Sequence, residues 1–243
     1  MDPATYLPVI EAESAHVRNQ ALREPTAPVP HCPEWDCATL LVHLGNVYRF
    51  IAALVSAAPG SPEEVPARTT EEPSAADLTG WFDAARFRVI DALAGAGTST
   101  AMWTWSEARD SGFFHRRMAH ESTMHRLDAD LAVDGSLGVV DPAFASDGID
   151  EFVHVGLRHS LRRPERTYAD GSLHLHCTDT EGEWMVVPDG SGGVTVTREH
   201  AKGDVAVRGP AVNILRYVWG RERENVDVFG DEDLADAWAR CSP

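Results

Sequence analysis

FFHRRMAHESTMHRLDADLAVDG, residues 113–135, decides how the first half of this chain is read. A helical pattern runs from about Phe113 to Val133 and stops near Gly135, the residue type that most often follows a helix end. Successive helical residues turn by about 100°, so Met118, Glu121, His125, Asp128 and Ala132 all fall within about 40° of Phe114. The stripe that carries Phe114, Met118 and Ala132 inward therefore carries a glutamate, a histidine and an aspartate with them. Burying such groups unpaired is expensive, so partners are expected. Glu121 and His125 stand four apart and can hold one ion together, in the manner of metal sites inside helix bundles.

Upstream, a helix is expected from about Thr5 to Leu22, and the prolines of REPTAPVPHCPEW (23–35) end it. Asp36 suits the N-cap of a second helix running to about Ala57, with Trp35 and Leu40 at the spacing of a hydrophobic staple. The apolar arc of that helix holds Leu40, Leu44, Tyr48, Ile51 and Leu54, and His43 lies at its edge beside Leu54. His43 is thus the candidate third ligand. Two ligands from one helix and one from another leave a position open on a four-coordinate ion, the mark of a catalytic rather than a structural site. HESTMH (120–125) does not meet the zinc-protease pattern H-E-x-x-H, because position 124 is Met and His120 projects about 100° away from Glu121.

APGSPEEVPARTTEEP (58–73) is a proline-rich loop, a third helix is expected over about Ser74 to Leu93, and Trp103 and Trp105 follow in a loop, where they either line a pocket mouth or cover the bundle end. Four helices of this length make a four-helix bundle. After a helix from about Pro142 to Leu161, the pattern changes to short alternating runs: LHLHC (173–177), EWMVV (183–187), VTVT (194–197) and DVAVR (204–208). TDTEG and PDGSGG supply turns between them. Pro210 then opens a helix that Gly220 ends, and Asp231 caps a last short one. The expected class is α+β in two domains, a helix bundle over 1–137 and a small antiparallel sheet with packed helices over 141–243.

The charge narrows the partners. With 38 acidic against 21 basic residues, the formal net charge of −17 repels phosphates, so neither nucleic acid nor an anionic membrane is expected as a partner. No apolar run is read as long enough to span a bilayer, no basic-then-apolar leader is seen, and Cys32, Cys37, Cys177 and Cys241 form no CxxC pair. A cytoplasmic protein with reduced thiols is the expectation. Cys32 and Cys37 are read as loop and core residues, and His174 and His176 as sharing one solvent-facing side of a strand. The single lysine, Lys202, among many arginines matches a GC-rich genome such as an actinobacterium's.

PHCPEWDCATLLVHLGNVYRF (30–50) and RRMAHESTMHRLDADLA (116–132) resemble the second- and fourth-helix segments of the mycothiol-dependent maleylpyruvate isomerase family, itself related to DinB-like metal-binding bundles. DVAVRGPAVNILRYVWGRE (204–222) is similar to that family's C-terminal domain, a sterol-carrier-like α+β fold. The resemblance implies zinc, or another divalent metal, on His43, Glu121 and His125, with water or a substrate thiol in the fourth place. It implies mycothiol as the thiol, Asp128 near its polar groups, and Arg221 of the WGR motif in activity. Arg117, close to the inward stripe, is placed with Asp128 at the cofactor, whereas Arg116 and Arg126 are read as surface charge.

The chemistry suits such a site. A free thiol ionises near pH ~8.5, whereas a coordinated one is deprotonated outright. A sheltered thiolate can attack an electrophilic double bond, epoxide or halide, and in an isomerase it adds to a cis alkene, the bond rotates, and the thiol leaves. An arginine such as Arg221 suits a carboxylated substrate. The expected function is a mycothiol-dependent transferase or isomerase acting on a small electrophile. A metal-dependent hydrolase and a non-catalytic protein binding metal and an apolar ligand are the alternatives. The sequence leaves the electrophile and the oligomeric state open.

Overall fold

The computed structural model describes residues 1–160 and 169–242. The chain divides into two compact units, Met1–Gly138 and Val139–Pro243.

The first unit holds four long helices: α1 (Tyr6–Arg23), α2 (Cys37–Ala57), α3 (Leu78–Ala96) and α4 (Gly112–Asp134). Asp36 caps α2 by accepting a hydrogen bond from the Thr39 backbone N–H at 2.8 Å, and Gly135 ends α4 in the left-handed region at φ 65°. The third helix begins at Leu78, four residues later than its pattern suggests, because the Ser74 hydroxyl and Asp77 carboxylate close a turn at 2.6 Å first. Helix α1 packs mainly on α4, and α2 mainly on α3. By length and composition α2 would suffice to cross a membrane, contrary to the sequence reading. Its apolar residues Leu40, Leu41, Leu44, Tyr48, Ile51 and Leu54 are buried in the core of this unit, with Ile10 and Val17 of α1, Phe82 and Val89 of α3, and Phe114 of α4.

Helix α4 is buried on more than its inward stripe. Arg126, read from sequence as a surface charge, is only 4% exposed. Its guanidinium donates to Glu13 of α1 at 2.6 Å and to Asp130 at 2.9 Å. Asp130 in turn accepts from Gln20 at 2.9 Å and lies 2.7 Å from His16 Nε2. The α1–α4 contact is thus a hydrogen-bonded charge network, which is what allows these groups to leave water. Ser122 serves the α2 side, donating to the Met118 carbonyl at 2.7 Å and lying 2.6 Å from the Tyr48 hydroxyl.

The second unit opens with α5 (Pro142–Glu151), a single π-helical turn over Phe152–Gly156, and α6 (Leu157–Ser160). One helix was expected here to about Leu161, which lies outside the described residues. Five strands follow: β1 (Leu173–Cys177), β2 (Glu183–Pro188), β3 (Val194–Thr197), β4 (Val205–Gly209) and, after α7 (Ala211–Val218), β5 (Asp227–Gly230), with α8 (Glu232–Ala239) last. The order is β3-β2-β1-β4-β5. The class is α+β as expected, but the sheet is mixed rather than purely antiparallel. The chain leaves β3 at one edge and crosses by residues 198–204 to the far side of β1, which makes β4 parallel to β1, with Leu175 opposite Val207. Leu175, Trp184, Val186, Val205, Val207 and Tyr217 are fully buried in its core.

Candidate metal centre

His43 on α2 and Glu121 and His125 on α4 meet inside the first unit. Glu121 Oε1 is 3.5 Å from His43 Nε2 and 3.4 Å from His125 Nε2, and one ligand atom from each of the three lies within 4.8 Å of the others. The two imidazole rings are 4.9 Å apart, nearly edge to face. Helix geometry explains the pair on α4, since residues four apart stack on one face. The α2 packing that buries Leu40, Leu44 and Leu54 turns His43 to the edge facing them.

The remaining bonds hold the three side chains in place. Arg117, buried on α4, donates to Glu121 Oε2 at 2.7 Å and leaves Oε1 turned to the imidazoles. Asp128, 1% exposed, lies 3.1 Å from His125 Nδ1. Burial works against the Glu121 charge, yet the imidazoles of His125 and His43 and the Arg117 guanidinium hold its carboxyl well below the usual carboxylate range. Burial likewise disfavours charge on His125, but Asp128 and Glu121 outweigh it and push the imidazole up to about 9. An ion binding there must displace that proton.

These residues fit a divalent ion. Metal–ligand bonds of about 2.0–2.1 Å at tetrahedral angles set neighbouring donor atoms roughly 3.3 Å apart. The observed separations of 3.4 and 3.5 Å match that spacing and exceed an ordinary N–H···O hydrogen bond. Asp128 supplies the carboxylate that metal-binding histidines commonly have on their second ring nitrogen.

Trp35 is a site residue that sequence reasoning placed elsewhere, on Leu40. Its ring lies 4.7 Å from that of His43 and 6.2 Å from that of His125, forming an apolar wall. The available signal was its position just before the N-cap of the helix that carries His43. Trp105 meets Phe113 and Phe114 edge to face at 5.1 and 5.2 Å, at the start of α4. Buried Cys37 has its thiol pushed up to about 11 by burial, which suits a core residue rather than a ligand. Arg221 belongs to the second unit, where its guanidinium donates to the Trp219 carbonyl at 2.7 Å.

Two solved structures share the fold. The crystal structure of the mycothiol-dependent maleylpyruvate isomerase aligns with a TM-score of 0.60 at 17% identity, over 94% of this chain and 93% of that one. A histidine-to-alanine mutant of that isomerase aligns at 0.57 and 15% identity with the same coverage. None of the curated proteins matches this chain. The family described as mycothiol maleylpyruvate isomerase N-terminal domain matches residues 10–130, a span that contains His43, Glu121, His125, Asp128 and Arg117. Through that span, with its bundle and its converging histidines and glutamate, the chain belongs to the mycothiol maleylpyruvate isomerase N-terminal domain family.

Proposed function

We propose that the protein is a metal- and mycothiol-dependent isomerase or S-transferase acting on a small electrophile, with His43, Glu121 and His125 as the ligands of a zinc-type ion. The observation that carries this is the spacing of the three donor atoms, 3.4 and 3.5 Å around Glu121 Oε1, within the family's matched span. A bound ion of this class acidifies a coordinated thiol, which then acts as thiolate at neutral pH.

The chain's own residues divide the remaining work. Arg117 fixes the rotamer of Glu121, so that one carboxylate oxygen faces the imidazoles and the other is occupied. Asp128 orients His125 through Nδ1 and leaves Nε2 as the ligand atom. Asp128 would also be the residue to hold the polar groups of a bound thiol. Trp35 shields one side of the centre from water and so strengthens the electrostatics within it. Arg221 is the candidate partner of a substrate carboxylate, through its two-pronged guanidinium.

The test pairs metal analysis of the purified protein with a screen of thiol consumption over alkene, epoxide and halide electrophiles, comparing mycothiol with other small thiols. Mycothiol-dependent turnover that is lost on chelation and restored by zinc is the expected result. Hydrolysis that proceeds without thiol would overturn the thiol role while keeping the ion. Arg221→Ala is expected to depress turnover with metal content unchanged.

A further inference from the structure

A second constellation lies in the other unit, on one face of its sheet. His174 and His176 alternate along β1 and so share a face, and Glu183 stands directly opposite His176 on β2. His200 comes from the 198–204 crossover that carries the chain from β3 to β4. Glu183 Oε1 is where all three imidazoles converge. His176 Nδ1 is hydrogen-bonded to it, His200 Nδ1 lies 2.8 Å away and His174 Nε2 3.8 Å away. The rings pack at 5.8–6.2 Å between centroids.

This face was expected to look into solvent, but His174 is 6% exposed, because the crossover lies over it. The crossover passes so close that a Cβ at Gly203 would sit 3.0 Å from the His174 backbone nitrogen. The result is an imbalance. One carboxylate oxygen has two lone pairs, which His176 and His200 use. His174 Nε2 is left buried without a hydrogen-bond partner, aimed at the same oxygen from beyond hydrogen-bond reach. An orphaned buried nitrogen is costly, and three imidazoles crowded on one oxygen is a poor arrangement for hydrogen bonding alone.

We propose that His174, His176, Glu183 and His200 form a second metal site that takes a divalent transition ion of the zinc class and clips the 198–204 crossover to the sheet. One donor atom from each lies within 4.8 Å of the others, and three nitrogens with one carboxylate oxygen make a full tetrahedral set. Imidazole donors favour zinc, copper or nickel over calcium or magnesium, which prefer oxygen. The His200 side chain is 81% exposed, so an ion can reach the site from solvent and the last ligand can swing onto it. Four ligands leave no open position, so the role is structural, unlike that of the first centre.

The site is tested on the full-length chain, stripped of metal and titrated with Zn²⁺ by calorimetry. The His125→Ala protein, impaired at the first centre, is expected to bind one ion. Adding His200→Ala, an exposed change that spares the core, should weaken that binding by more than about tenfold, and His174→Gln should do the same. A second readout is tryptic cleavage after Arg198 and Lys202, which flank His200. Zn²⁺ should slow cleavage there in the His125→Ala protein and not in the form that also carries His200→Ala. Absence of Zn²⁺ binding by the His125→Ala protein, or binding that His200→Ala and His174→Gln leave unchanged, would overturn the second site. Should the first centre be the one that fails, the unmodified chain would bind one ion and His125→Ala would leave it in place.

Discussion

His125 makes two contacts that matter, one to Glu121 through Nε2 and one to Asp128 through Nδ1. His125→Ala is expected to strip the ion from the first centre while far-UV circular dichroism stays unchanged. The helix beneath is held by Phe114, Met118 and Leu127, which the change does not touch. Collapse of the helical signal would instead mark a structural ion. Asp128→Asn keeps the shape and removes the charge behind His125, so Zn²⁺ affinity in a competition titration should fall by about 10–100-fold. Unaltered affinity would remove Asp128 from the centre. The stripe that carries these residues was legible in the sequence, because a 3.6-residue period fixes which side chains share a face. Arg126 was not legible. It lies off that stripe, and the pattern of one helix gives no hint that α1 covers the other side with Glu13, Gln20 and His16.

Two helix pairings carry the first unit, and each gives a test at the level of elements. On α2, a Cβ added at Gly45 would meet the Trp81 ring of α3 at 2.2 Å, and that indole is held by its N–H bond to Glu71 at 2.9 Å. Gly45→Ala should therefore destabilise by about 1–3 kcal/mol through overpacking, less about 1 kcal/mol of gained helix propensity, as read from urea unfolding. A net gain would mean that Trp81 moves aside freely. Between α1 and α4, burial raises the Asp130 carboxyl, but Arg126, Gln20 and His16 more than offset this and set it below its ordinary 3.8. A depressed carboxyl contributes stability above its unfolded value and loses it as pH falls through the folded one. Unfolding free energy should thus drop more steeply below pH 3.8 in the native protein than in Asp130→Asn. Parallel slopes would show that the network carries no linkage. The helices and four strands were readable because prolines, glycines and caps punctuate them. The four residues of β3, VTVT, alternate cleanly, whereas β5 reads DVFG, with Val228 and Phe229 side by side and no alternation to detect. The β1–β4 pairing is parallel because of a crossover, a non-local choice that no single segment encodes.

Over the whole chain, a net charge of −17 opposes compaction of either unit. Raising salt from about 10 mM to about 150 mM shortens the screening length from about 30 Å to about 8 Å, so the urea midpoint should rise across that range. A falling midpoint would mean that ion pairs such as Arg126–Glu13 outweigh the repulsion. The parallel β1–β4 pairing has a consequence in the order of synthesis. While the chain is being made, β1, β2 and β3 can form a hairpin meander as soon as they emerge, but β1 bares its second edge until Val205–Gly209 follows. For that interval the strand destined for the middle of the sheet is an open border, where a neighbouring nascent chain can dock before the chain's own fourth strand arrives.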